Sequence, residues 1–332
     1  MKKIMRKIGR ICLKTIGGIV ILVGLVIGTL NLLKFAIYSE YYSMESTLCT
    51  NPGLNDGFAC QGISAYECQE NGDKIFLSGY MTDNSASRVY VTDLSNNSYY
   101  VNLNNEDGTP YNGHSGGIAN DGENVYIVSD DCIFPFKIDD LLKSKKGDTI
   151  TLGSPIKIYD QGSFVFFDGE YLYTGEFHDG KNYITNHKYT IDENTTHHAI
   201  AVKYHISDLT KPVKIYSIRD KVQGFAINED GKILLSTSYG LTNSKFYLYD
   251  EEAAVDSGET LYGAPVYYLK DYVKTFDGPA MSEGLDVYNG KFITMFESAC
   301  NKYIFGKFFF AFDIVSLDIK WILIKYQKSY PY

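Results

Sequence analysis

The pattern of hydrophobic positions divides the chain into one long apolar run and a series of short ones. Residues 15–33 form an uncharged run of 19 residues. As a helix this run would be roughly 28 Å long, about the hydrocarbon thickness of a bilayer. Beyond it, short apolar segments rich in β-branched and aromatic residues alternate with turn signals, which is typical of β-strands. The pattern therefore predicts one N-terminal helix followed by an all-β domain.

Turn signals of one kind recur at similar intervals along the β domain. Asn-Gly and Asp-Gly pairs suit two-residue hairpins because both central positions accept a positive φ. Each of five such pairs lies between two apolar segments, and their glycines are 50, 47, 62 and 59 residues apart. That spacing suits one four-stranded sheet per repeat. The pairs are Asn71-Gly72, Asp121-Gly122, Asp168-Gly169, Asp230-Gly231 and Asn289-Gly290.

Five units of four strands predict a five-bladed β-propeller, whose closed ring leaves no long exposed sheet edge. Six blades are the alternative, if the long third or fourth repeat contains a further unit. The outer strand of the fifth unit comes either from residues 320–326 or from the segment 44–58. The predicted organisation is a cytoplasmic basic segment (1–14), a transmembrane signal-anchor helix (15–37), a linker (38–48), the propeller (49–326) and a tail (327–332).

The net charge of −9 is the sum of two opposite parts. Residues 1–37 contain seven Lys and Arg and no acidic residue, so the remainder carries −16. Basic residues before the apolar run predict a cytoplasmic N-terminus and an extracytoplasmic propeller, hence a single-pass protein of the cell membrane held in the lipid bilayer. A cleaved signal peptide is the alternative, although its apolar region is usually shorter and no A-x-A-like site follows Leu33.

Cysteine positions predict at most a partial disulfide framework. Cys12 lies at the cytoplasmic edge of the apolar run, which leaves five cysteines outside, and an odd number cannot all pair within one chain. Cys49 and Cys60 flank a short loop that contains Pro and Gly, so they are the disulfide candidate in an oxidising compartment.

A polar residue stands just before or at the start of each predicted innermost strand, where the blades of a propeller surround the central channel. These ring residues are Gln61, His114, Gln161, Gln223 and Glu283. They are suited to binding a polar ligand or a cation, or to bonding neighbouring blades. Glu297 and Glu176 occupy matching places after their turns and are predicted to reach the same face.

Three functions are compatible with such a ring. The favoured one is binding of a polar ligand, an envelope glycan or peptide, at the channel face. The second is a hydrolase or lyase in which Glu283 is the general base and His114 is its acid partner or orients it, with a divalent cation as the candidate cofactor. The third is a scaffold that binds a protein partner without chemistry. Nucleic acid is excluded as a partner because no segment of the acidic domain clusters Lys and Arg, and the remaining histidines lack a local three-ligand spacing for zinc.

Four segments carry a resemblance to known proteins: GLNDGFACQGISAY, HSGGIANDGENVYIVS, VQGFAINEDGKILLSTSYG and SEGLDVYNGKFITMFES. They resemble a family of secreted or membrane-anchored β-propellers of Gram-positive bacteria, over about residues 54–319. More distantly the chain is similar to streptogramin-lyase and gluconolactonase-like propellers. That resemblance implies a site at the channel mouth, often with a divalent metal held by His and acidic residues. Three of the five ring positions here are Gln instead.

Overall fold

The N-terminal segment forms a long helix. The computed structural model describes residues 2–68, 72–303, 305–309 and 311–320. A helix spans Lys2–Ile37 and a short one Ser39–Met44. Within the first, Met5–Ile37 is long and apolar enough to cross a membrane, a test that a signal sequence near the N-terminus also passes. The helix is confirmed, and the single-pass topology with an extracytoplasmic propeller stays a prediction.

The β domain is a five-bladed propeller, as predicted. From the channel outward, the strands of blade 1 are Phe58–Tyr66, Lys74–Met81, Arg88–Thr92, Ser98–Asn104 and Thr149–Thr151. Those of blade 2 are Gly117–Asn120, Asn124–Ser129, Cys132–Lys137 and Ile156–Lys157. Those of blade 3 are Phe164–Phe167, Tyr171–Gly175, Ala199–His205, Pro212–Ile218, Ala264–Tyr268 and Val255–Leu261. Those of blade 4 are Val222–Ile227, Lys232–Thr237, Ser244–Asp250 and Tyr272–Gly278. Those of blade 5 are Ser282–Tyr288, Lys291–Phe296, Asp313–Leu317 and Glu45–Thr50.

The ring closes within blade 5, where the two ends of the domain pair. Glu45–Thr50 runs antiparallel to Asp313–Leu317, with Glu45 opposite Leu317. Of the two predicted sources for this outer strand, the segment 44–58 is therefore the right one. Residues 321–326 of the other candidate lie outside the described residues.

The extra length of the third and fourth repeats extends existing structure and does not form a sixth blade. In the third repeat, a hairpin of Tyr189–Asp192 and Thr195–His197 is inserted between two strands of blade 3. In the fourth, the hairpin of Val255–Leu261 and Ala264–Tyr268 leaves blade 4 and pairs with the outer edge of blade 3. Thr149–Thr151 covers the edge of blade 1 in the same way. The strands added to blades 1 and 3 pair with the outer edges of those sheets and protect them.

Of the four Asn-Gly and Asp-Gly pairs that the structure describes in full, one forms the predicted two-residue hairpin. Tyr288 pairs with Lys291, and both Asn289 and Gly290 have positive φ. At Asp121-Gly122 the loop is longer, because the Asp121 carboxylate accepts hydrogen bonds from the backbone N–H groups of residues 123 and 124. Asn71 lies outside the described residues.

Neighbouring inner strands approach one another through glycine. A Cβ on Gly62 would lie 2.5 Å from the backbone nitrogen of Ile118 in blade 2, and one on Gly224 would lie 2.7 Å from that of Leu285 in blade 5. A Cβ on Gly117 would lie 2.6 Å from the backbone nitrogen of Val165 in blade 3, and one on Gly284 would lie 3.0 Å from the carbonyl oxygen of Gln61 in blade 1. These glycines let backbone pack on backbone around the axis, which explains why a glycine follows most ring residues.

Aromatic side chains fill the space between blades. Phe225 of blade 4 packs against Phe164 and Tyr173 of blade 3, with ring centroids 6.2 and 5.3 Å apart. These three residues are almost completely buried. Such packing explains the high Tyr and Phe content, because each large ring contributes a wide apolar area to an inter-blade core.

The predicted disulfide between Cys49 and Cys60 is wrong, and all six cysteines are free. Residues 51–57 carry the chain from the outer strand of blade 5 to the inner strand of blade 1, so the two cysteines belong to different sheets. The Cys60 thiol instead accepts a hydrogen bond from Asn51 Nδ2 at 3.2 Å and lies 3.7 Å from the carbonyl oxygen of Phe296.

The N-terminal helices are joined to the propeller at blades 4 and 5. Tyr38 donates a hydrogen bond to Asn243 Oδ1 at 2.9 Å, and Glu40 pairs with Lys274 at 2.7 Å. Tyr41 is buried, and its ring lies 6.2 Å from Phe246 of blade 4 and 6.1 Å from Phe296 of blade 5.

Gly62→Ala and Gly224→Ala are expected to destabilise the propeller by about 1–3 kcal/mol each, because the added methyl group overlaps a neighbouring backbone. The measurement is thermal unfolding of the full chain in detergent by circular dichroism. Gly18→Ala is the control, since its Cβ would meet nothing within 4 Å. Equal melting temperatures for all three variants would contradict the packing role.

Candidate functional site

The ring residues meet in one cavity at the channel, here called the channel cavity. Its volume is about 910 Å³. Six predicted residues line it and come from all five blades: Gln61, His114, Gln161, Gln223, Glu283 and Glu297. Their placement on one face is confirmed, and their role in binding stays a prediction.

Local backbone irregularities direct these side chains into the cavity. In blades 1, 4 and 5 the pairing of the two inner strands shifts at Gln61, Gln223 and Glu283. A β-bulge of this kind turns one side chain out of the ladder. In blades 2 and 3 a positive φ just after the ring residue, at Ser115 and Gly162, has the same effect.

Glu176, predicted to reach the same face, is not among the described residues that line the cavity. Its side chain is buried within blade 3. One carboxylate oxygen lies 3.3 Å from His187 Nε2, and the other accepts a hydrogen bond from the backbone N–H of Ile200 at 3.2 Å. Contacts within blade 3 and its inserted loop therefore satisfy both oxygens of the Glu176 carboxylate.

Glu283 and Glu297 form a buried carboxyl pair on the blade 5 side of the cavity, with 2% and 5% of their surfaces exposed. Burial, and then repulsion from Glu297, hold the pKa of Glu283 well above its ordinary value. Burial raises the pKa of Glu297 to about 7, against the opposing effect of the Lys302 charge. One member of the pair is therefore largely protonated near neutral pH.

Lys302 brings a positive charge to this pair. Its Nζ contacts the hydroxyl of Tyr80 and lies 4.7 Å from the ring centroid of Tyr80 and 5.1 Å from that of Tyr303. The Tyr80 hydroxyl in turn lies 3.2 Å from Glu297 Oε1. Tyr80, Tyr303 and Glu297 are called the ammonium cage below. Sequence reasoning missed Lys302 and both tyrosines because none of them belongs to a recurring turn or to a polar-Gly pair.

His114 is bonded to Gln61 and not to the carboxyl pair. Its Nε2 lies 2.7 Å from Gln61 Oε1, and its ring stacks on Tyr80 at 4.8 Å. Burial, and then the charge of Lys302, lower the pKa of His114, which favours the neutral ring with Nε2–H as donor. Glu283 accepts a long hydrogen bond of 3.4 Å from Gln223 Nε2. His114 and Glu283 both line the channel cavity, and their predicted acid–base pairing stays a prediction.

The rim of the cavity combines aromatic rings with acidic and amide groups. Phe177 and Tyr183 pack edge to face at 5.4 Å, and Asn182 Nδ2 donates to the hydroxyl of Tyr239 at 3.1 Å. Asp130 and Asp131, at the turn after the second strand of blade 2, both have positive φ and line the cavity. The Asp-Asp pair was a usable sequence signal, because Asp tolerates the left-handed region better than most residues.

A second cluster of titratable groups lies beside blade 3. In the described part of the chain, His178, His198 and Asp220 are the one group of three His, Cys, Asp or Glu ligand atoms within 4.8 Å of one another. The two imidazoles stack at 4.8 Å with an angle of 17°, and Asp220 accepts from His198 Nδ1 at 3.0 Å. In this geometry the group is a hydrogen-bonded stack, and its three ligand atoms lie close enough together to be a candidate metal site.

The chain has low similarity to several solved structures. Similar solved structures include the PQQ-bound aldose sugar dehydrogenase of Streptomyces coelicolor, with 16% identity, coverage of 75% of this chain and 76% of that one, and a TM-score of 0.42. A nidogen/laminin complex is another, with 11% identity, coverage of 72% of each chain and a TM-score of 0.38. No protein-family model and no curated protein matches the chain. The propeller implied by the resemblance is confirmed by strand pairing, and membership of a Gram-positive family stays a prediction.

The raised pKa of Glu297 predicts how stability depends on pH. A carboxyl group with a higher pKa in the folded state stabilises the fold fully below its unfolded value. That contribution is lost as pH rises through the folded value of about 7. Glu297→Gln should therefore lose less stability than the unaltered chain between about pH 4.5 and 7, by an amount on the order of 3 kcal/mol.

Urea unfolding of the full chain across this pH range measures the effect. Glu229→Gln, at an exposed turn position, is the control and should follow the unaltered chain. Parallel pH profiles for Glu297→Gln and the unaltered chain would show that the Glu297 carboxyl does not titrate as described.

Proposed function

We propose that this chain binds an envelope glycan in the channel cavity, while its N-terminal helix holds it at the cell membrane. The observation that carries the proposal is the convergence of polar side chains from all five blades on one open cavity with an aromatic rim. Glycan hydroxyl groups need both donors and acceptors, which the three glutamines of the ring provide. Aromatic rings cover the apolar faces of sugar rings.

The position of the helix supports a ligand close to the membrane. Asn243, which bonds Tyr38 at the end of the long helix, lies just after Tyr239 and Gly240 on the cavity rim. The helix thus leaves the propeller beside the rim. With the N-terminus cytoplasmic, as the basic residues predict, the cavity would be exposed to the components of the cell envelope.

Gln161→Ala and Gln223→Ala are expected to weaken glycan binding about tenfold or more, because each removes an amide from the cavity. The measurement is isothermal titration of the full chain in detergent with a panel of soluble envelope glycan fragments. Glu229→Gln should bind like the unaltered chain. Binding that none of the ring substitutions changes would place the glycan elsewhere, and binding of envelope peptides in place of glycans would favour the other ligand class.

A hydrolase is the second candidate, and the carboxyl pair is the observation that favours it. Glycoside hydrolysis uses one protonated and one ionised carboxyl group, and the raised pKa values of Glu283 and Glu297 supply such a pair near neutral pH. In this version Glu297 replaces His114 as the partner of Glu283.

Glu283→Gln and Glu297→Gln should each slow glycan cleavage by about 10²–10⁴-fold, the usual effect of losing a general acid or base. The assay is the release of new reducing ends from bound glycans at pH 7. Glycan binding without release by the unaltered chain would exclude the hydrolase and leave a binding protein.

A further inference from the structure

We propose that the channel cavity selects a glycan carrying free primary amino groups, and that a ligand ammonium takes the place of the Lys302 ammonium in the cage of Tyr80, Tyr303 and Glu297. This inference rests on the proposed function and names the class of glycan.

The charge of the cavity lining favours a cationic ligand. Four acidic residues line it, Asp130, Asp131, Glu283 and Glu297, whereas Lys302 is the single Lys or Arg in the described lining. A concave surface with one sign of charge concentrates ligands of the opposite sign. Asp131 is ion-paired with Lys157, which lies outside the lining, so Asp130 and the partly protonated carboxyl pair face the single internal cation.

Lys302 shows what chemistry the cage accommodates. Its ammonium contacts the hydroxyl of Tyr80 and lies 4.7 and 5.1 Å from the ring centroids of Tyr80 and Tyr303. Aromatic rings beside a carboxyl group form a typical binding site for an organic cation. The protein therefore fills this position with an ammonium group of its own.

The internal ammonium can leave without rearrangement of the fold. Lys302 is an exposed residue in the turn that follows the 3-10 helix Glu297–Ala299, and only the end of its side chain reaches the cage. Exposed side chains change rotamer within nanoseconds. Tyr80, by contrast, belongs to the second strand of blade 1 and its ring is held by the stacked ring of His114. The cage is thus preformed and its occupant exchangeable.

An organic cation fits this place better than a metal ion. In the described chain, neither Glu283 nor Glu297 belongs to a group of three His, Cys, Asp or Glu ligand atoms close enough to hold a metal. Ca²⁺ takes six to eight oxygen ligands, whereas two tyrosine rings occupy the sides of this position. The ring faces attract a cation without coordinating it.

The experiment uses a matched pair of sugars, the β-1,4-linked trimers of glucosamine and of N-acetylglucosamine, which differ in their amino groups. Both are titrated into the full chain in detergent at pH 7. We expect the glucosamine trimer to bind about tenfold more tightly. Glu297→Gln should reduce this preference to less than about threefold, since it removes the cage carboxylate. Lys302→Met should strengthen binding of the glucosamine trimer several-fold, because the competing ammonium is gone.

Lys302→Met alters an exposed residue, so it tests the proposal even if Glu297→Gln folds poorly, and Glu229→Gln is again the control. Equal binding of the two trimers, weakened by Gln223→Ala, would overturn the ammonium selection and leave the glycan function intact. Weaker binding of the glucosamine trimer to Lys302→Met would show that Lys302 holds the ligand and does not compete with it. Binding of neither trimer would overturn both proposals. A rise in melting temperature with CaCl₂ that Glu297→Gln abolishes would assign the carboxyl pair to a metal ion.

Discussion

The pairing of Glu45–Thr50 with Asp313–Leu317 is the constraint on which the rest of the structure depends. A propeller blade is stable only when both of its faces are covered by neighbours, so an open ring would expose two blade faces and their strand edges. The closing pair belongs to blade 5, which also carries Glu283 and Glu297. Closure therefore places the carboxyl pair beside Gln61 of blade 1 and completes the channel cavity. The sequence separation of the two strands makes this contact one of the costliest in chain entropy.

Two local features of the inner strands, glycines and β-bulges, together form the channel. Glycines such as Gly62 and Gly224 let inner strands approach to backbone contact, and bulges at Gln61, Gln223 and Glu283 turn polar side chains toward the axis. Hydroxyl groups link the blades at the same level, since Ser236 Oγ of blade 4 donates to the carbonyl oxygen of Glu283. The result is a rigid wall with polar groups directed into the cavity.

Burial of the carboxyl pair opposes stability. Burial raises the pKa of both carboxyl groups, repulsion from Glu297 raises that of Glu283 further, and the fold loses free energy when they ionise. Lys302, Tyr80 and Tyr303 offset part of that cost from the cavity side. The buried carboxyl pair lowers stability, and the cation beside it is the exchangeable Lys302 ammonium. Such an arrangement is typical of a binding site and unusual in a purely structural core.

Much of the architecture could be read from the chain because it depends on local chemistry. The repeated Asn-Gly and Asp-Gly turns predict the number of blades, and the polar-Gly pairs predict which residues surround the channel, since a glycine marks close backbone approach and a bulge. The apolar run and its basic flank predict the N-terminal helix. By the same local logic, a short loop between Cys49 and Cys60 suggested a disulfide, and this prediction was wrong because the loop connects two different sheets.

Only the tertiary structure decided which groups meet. His114 bonds Gln61 and Glu283 pairs with Glu297, because ring order and the depth of each bulge determine these contacts and neither is encoded in the spacing along the chain. The cage depends on Tyr80 from blade 1 and Lys302 from the turn after blade 5's second strand, 222 residues apart in sequence. No local sequence pattern predicts a contact between residues so far apart in the chain. Pattern and turn chemistry thus determine the blades, whereas closure of the ring determines the chemistry at its centre.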